Sequence, residues 1–207
     1  NSVGVGEIIF QHYALDTPSL KFEGYSRSIK GDRLIKEVRA KGFPVIMHIE
    51  LRDFPEKRME TLSDLESELL VDPGHPIVLI HMGQIDEDLA GAMLAKHKNL
   101  YFLMSMTTDI RLLPAASARE SGYVSQQGWI SLFEEGQWRG EWKSLVEMYP
   151  DNFLIAFDNV FKRHWEKSYI RAVKFWRDAL DQLNDNVARK LACENTAHLW
   201  RLELSCN

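Results

Sequence analysis

Phe43-Pro44-Val45-Ile46-Met47-His48 is a short, continuous apolar run that stops on an ionisable residue. With no polar alternation it reads as a strand covered on both faces, the pattern of a buried parallel sheet. The same design recurs in Pro76-Ile77-Val78-Leu79-Ile80-His81, in Phe153-Leu154-Ile155-Ala156-Phe157-Asp158 and in Val3-Gly4-Val5-Gly6-Glu7. Burying several ionisable groups is costly unless they pair with each other or with a cation. Two histidines and two carboxylates at four strand ends therefore point to a metal site.

Working outward, strands are expected at Val3 to Ile9, Pro44 to Ile49, Ile77 to His81, Leu100 to Ser105 and Asn152 to Asp158. Helical periods separate them. Asp32 to Lys41 carries Leu34, Ile35 and Val38 and stops at Gly42, as a helix closed by a C-cap glycine does. Ser63-Asp64-Leu65-Glu66 fits a capping box opening a helix whose stripe is Leu62, Leu65 and Leu69. A third helix spans Asp86 to Lys96, with Leu89, Met93 and Leu94 inward. From Thr107 to Gln137 the rhythm breaks at Pro114, Gly122, Gly128 and Gly136, which marks either an irregular lid containing Trp129 or a linker. Helical pattern returns at Trp138 to Met148, Glu166 to Leu183 and Val187 to Leu199.

Alternating strands and helices call for right-handed βαβ units and a parallel sheet in one α/β domain. The 207 residues are 45% hydrophobic and 27% charged, which excludes disordered, collagenous and membrane classes. No run approaches the roughly 20 apolar residues of a bilayer span, and no secretion signal opens the chain; a cytoplasmic setting is expected. The net charge of -5 provides no basic footprint for nucleic acid. Cys193 and Cys206 lack metal-ligand spacing and read as bystanders. The chain starts Asn1-Ser2-Val3 and enters a strand at once, so a preceding segment is expected.

Of the four terminal groups, Asp158 is expected to be the most telling, because a carboxylate emerging from a buried run stays ionised most readily beside a cation. It could then accept a proton from water acidified by the metal; its bland role is to cap the next helix. His48 and Glu50 lie two apart on a strand and point the same way, and only one of them need be a ligand; a neutral His48 could give one nitrogen to a metal while an acceptor holds the other. Glu7 follows Gly6, which reads equally as a bulge. His12, His75, His97, His164 and His198 fall in loop or helix settings and read as solvated or capping residues.

At these motifs, together with Tyr149-Pro150-Asp151-Asn152 and Glu194-Asn195-Thr196-Ala197, the chain resembles the amidohydrolase superfamily, in the branch related to aminocarboxymuconate semialdehyde decarboxylase. The Gly6-Glu7 pair resembles the TatD-type branch. The resemblance implies a (β/α)8 barrel of which strands 4 to 8 are present and the first strands are missing. It implies a divalent metal, zinc or manganese, bound by His48, His81, Asp158 and Glu7, with Asp158 and His81 catalytic. It implies a small-molecule substrate: hydrolysis of an amide, ester or lactone, or non-hydrolytic decarboxylation on the same site. No His-x-His pair occurs in the chain, although the resemblance places one on the first strand, so that pair is expected upstream. A competing expectation is a metal-free homologue acting as a binding module. Open sheet edges would be covered by a second copy or by the missing segment.

Overall fold

Each apolar run forms a strand, and the strands pair in the order in which the chain makes them. The structure is a computed structural model that describes residues 5–12, 25–26, 28–52, 56–105, 107, 130–159 and 162–206. Strands β1 (Val5–Ile9), β2 (Val45–His48), β3 (Ile77–Ile80), β4 (Leu100–Leu103) and β5 (Phe153–Leu154) make one sheet in sequential order. Every pairing is parallel. Register sets Val45 beside Ile77 and Ile77 beside Leu100, so β2 and β3 end level, at His48 and Ile80, with His81 following.

Between the strands run α1 (Arg33–Ala40), α2 (Arg58–Asp64), α3 (Glu87–Lys96) and α4 (Gly140–Met148). Asp32 caps α1, its carboxylate accepting from the Ile35 amide at 3.1 Å, and Gly42 ends the segment at φ 67°. Asp86 caps α3 in the same way through the Leu89 amide. The helix expected to open at Ser63 starts instead at Arg58 and continues through a wider turn over Leu65–Leu70. Ser63 is thus mid-helix, its carbonyl accepting from the Ser67 hydroxyl. Burial of Thr61 on the same stripe, with its hydroxyl accepting from Gln11, extends the helix backwards past the capping motif.

After β5 the chain is helical: α5 (Lys167–Leu180), α6 (Asp185–Arg189), a wide turn at Lys190–Glu194, then α7 (Asn195–Leu199). A tight hairpin pairs Phe133–Glu134 with Gln137–Trp138 through two left-handed residues, Glu135 and Gly136. Phe133 and Trp138 pack on Phe175 and Trp176 of α5. Residues 108–129 of the expected lid, including Trp129, lie outside the described residues, as do Val3, Gly4 and the side chains of His12 and His164.

The two faces of the sheet differ. Val45, Met47, Ile77, Leu79, Leu100, Phe102 and Phe153 join the main core with the flanking helices. The alternate residues Ile46, Val78, Tyr101, Leu103 and Leu154 form a smaller cluster with Leu199 and Trp200 alone. The molecule is therefore α/β with a five-stranded parallel sheet whose main core and most helices lie on one side. Two expectations are corrected here. The final strand is two residues long and not seven, and Phe157 is 38% exposed, because the ladder with β4, its one partner among the described residues, ends where the Met104 amide donates to the Leu154 carbonyl. Cys193 and Cys206 are not bystanders: they form a disulfide that ties the tail to the wide turn after α6. Among the described residues no helix is long and apolar enough to cross a membrane.

Candidate metal centre

His48 ends β2 almost fully buried, and both of its ring nitrogens meet carboxylates. Nδ1 contacts Glu7 Oε1 from β1, and Nε2 lies 2.7 Å from Glu50 Oε1. Strand alternation places Glu50 on the same side as His48, and Glu50 is itself 1% exposed. Burial on its own would lower the His48 pKa, but the hydrogen bonds to Glu50 and Glu7 outweigh it and raise the value to about 9. In the metal-free protein His48 is an imidazolium donating to both carboxylates.

His81 stands edge-on to His48, ring centroids 5.0 Å apart. Burial, reinforced by the positive charge on His48, pushes its pKa down to about 4, so it is neutral. Its Nδ1 lies 2.9 Å from Ser105 Oγ and 3.2 Å from the Ser105 carbonyl. The carbonyl can only accept, which assigns the proton to Nδ1 and leaves Nε2 as the lone-pair nitrogen. That nitrogen is 3.8 Å from Asp158 Oδ2.

The backbone that delivers His81 is unusual. His81, Met82, Gly83 and Gln84 have φ of 51°, 59°, 61° and 52°, a complete left-handed turn with three non-glycine members. Each such residue costs roughly 1–2 kcal/mol, and conformations of this kind persist only where the surroundings over-determine them. The buried Gln84 does so here, donating to the His81 carbonyl at 3.0 Å and accepting from the Ile130 amide at 3.1 Å. The Leu51 amide donates to the Gly83 carbonyl from the end of the neighbouring strand. On the other side, β1 approaches β2 so closely that a Cβ on Gly6 would sit 2.8 Å from Ile46 Cδ1. A larger residue than Gly6 would therefore press on the Ile46 side chain where β1 brings Glu7 onto His48.

Glu7, His48 and His81 each offer one donor atom, all within 4.8 Å of one another. One carboxylate oxygen and two imidazole nitrogens form a donor set that suits zinc and other first-row divalent ions. The supporting groups fit too: Glu50 can hold the outer nitrogen of His48 and Ser105 that of His81, as ligating histidines require. Asp158 stands beside His81, outside this trio. The next helical turn begins at Lys162, so Asp158 is not its N-cap.

Glu50, Ser105 and Gln84 were not singled out from sequence for these roles, though Glu50 was visible as the same-face neighbour of His48. His75 and His97, read as solvated or capping, are both buried. His97 meets Glu66 at 3.1 Å, whereas His198 is exposed as expected. Compared with known proteins, the chain matches no protein-family model and no curated sequence.

Proposed function

We propose that the chain is the metal-binding portion of an amidohydrolase-type hydrolase, with β1 to β5 as strands 4 to 8 of a (β/α)8 barrel. Helices concentrated on one face of a sequentially ordered parallel sheet support the barrel, since doubly wound sheets carry helices on both faces. The observation that carries the function is the convergence of Glu7, His48 and His81 from three adjacent strands onto one point. These residues would hold a divalent ion, zinc in the first instance and manganese as the alternative. Such an ion supplies Lewis acidity, polarising a carbonyl and lowering the pKa of water to about 7. Asp158, whose Oδ2 is 3.8 Å from His81 Nε2, would take the proton from a water attacking an amide, ester or lactone carbonyl. Decarboxylation would use the same ligands on a substrate carboxylate.

The rival reading is a metal-free homologue that binds and does not turn over. It is favoured by the way Glu7 and Glu50 already neutralise the buried His48 cation. Equilibrium dialysis with zinc, followed by assays on aryl esters and lactones, separates the two. The hydrolase reading requires about one ion per chain, lost in His48→Ala and in Glu7→Gln. Zinc uptake that ignores both substitutions sinks it. A cytoplasmic setting belongs to the same proposal and stands in tension with the disulfide, which oxidising compartments favour. Counting free thiols in protein taken directly from cells decides that point.

A further inference from the structure

At the opposite end of the sheet from the histidines, where β2 and β3 begin, lies a cavity of about 580 Å³. Pro44 and Pro76, which lead into these strands, form part of its wall, and the chain after α7 forms another part. Its charged and polar side chains are Arg201, His198, Tyr101 and the buried His75, and no carboxylate lines it among the described residues. That is notable in a chain of net charge -5. Nearby acids are engaged elsewhere, Asp72 with Arg39 at 2.9 Å and Asp151 with Lys190. Arg201 has no ion-pair or hydrogen-bond partner for its side chain among the described residues. Its guanidinium lies over Gly42, where a Cβ would meet Nη2 at 4.0 Å.

The backbone at Arg201 supplies an independent argument. The Leu202 amide donates to the Ala197 carbonyl and the Arg201 amide to the His198 carbonyl, the two bonds of a Schellman closure. Arg201 occupies the left-handed position of that motif at φ 53°, where glycine carries no Cβ penalty and is the usual choice. An arginine there carries a conformational cost that glycine would not. The disulfide between Cys193 and Cys206 spans Arg201 and fixes this tail against the body of the protein.

We propose that this cavity is a binding site for a small organic acid, its oxyanion gripped by Arg201 with His198 and the Tyr101 hydroxyl, and its apolar body lying against the prolines and Leu199. A planar guanidinium fork matches carboxylate and phosphate oxygens alike, so the head group is either of these. The site is separate from the metal centre, and its test does not depend on that reading.

The test is calorimetric titration of the full chain with benzoate, with phenyl phosphate and with inorganic phosphate, in the parent and in Arg201→Gly. The parent should bind one of the two aromatic anions saturably at 1:1 and more tightly than inorganic phosphate; which one it prefers assigns the head group. Arg201→Gly should weaken that binding at least tenfold while raising the melting temperature, because glycine relieves the left-handed position. His48→Ala should leave the anion affinity unchanged. Absence of saturable binding in the parent overturns the proposal. So does undiminished binding in Arg201→Gly, or a lower melting temperature in that variant, which would make Arg201 a structural residue.

Discussion

His48 and His81 carry opposite perturbations 5.0 Å apart, and these give the metal-free protein a defined pH response. The folded pKa of His48, about 9, lies above the ordinary 6.5, so its contribution is full below pH 6.5 and is lost as pH rises towards 9. At 1.36 kcal/mol per unit the loss is about 3 kcal/mol while the partner carboxylates stay ionised. His81 works the other way: with a folded pKa of about 4 it binds fewer protons than the unfolded chain, so stability falls as pH drops from 6.5 to 4. Urea unfolding at a series of pH values should therefore peak near 6.5, and a profile flat from pH 5 to 9 would contradict the assignment. Glu50 has the companion role of orienting His48. Glu50→Gln keeps an acceptor for Nε2 but removes the charge, and zinc affinity should drop by about 10–100-fold with the fold intact; dialysis measures it.

Element by element, legibility followed the source of each signal. Apolar runs ending in His48 and His81 were visible in the sequence because burial on both faces forces an unbroken pattern, and Asp32, Gly42 and Asp86 punctuate helices through local hydrogen bonds. Ser63 misled because a capping motif is local whereas the stripe that includes Thr61 is tertiary. The left-handed turn at His81–Gln84 was hidden for a related reason: only Gly83 advertises it, and the side chain that sustains it, Gln84, acts through Ile130, 46 residues away. Nor does spacing alone reveal that Cys193 and Cys206 come within 5.7 Å at their α-carbons. Closing a loop of that size stabilises a protein by about 3 kcal/mol through the unfolded chain. Mild reduction should lower the unfolding free energy by up to that amount, and an unchanged urea midpoint after confirmed reduction would show that the tail contributes little.

The molecule as a whole has a helix-covered face and a face on which the candidate ligands stand, with Ile46, Tyr101 and Leu103 only partly covered there. Among the described residues β1 and β5 each pair on one side only, and unpaired parallel edges invite further strands. Sedimentation velocity across a hundredfold range of concentration should show association, weakened by a lysine at Ile9, which is 42% exposed on the β1 edge strand. A single sedimenting species of monomer mass throughout would mean that these edges are protected. The ligand-bearing face has a chemical corollary. If an ion sat on it, Glu7, His48 and His81 would hold it from one side only, and any polypeptide packed opposite would limit what can approach. Reactivity would then be a joint property of two surfaces, and chains sharing this same wall could diverge in chemistry by changing only what they face.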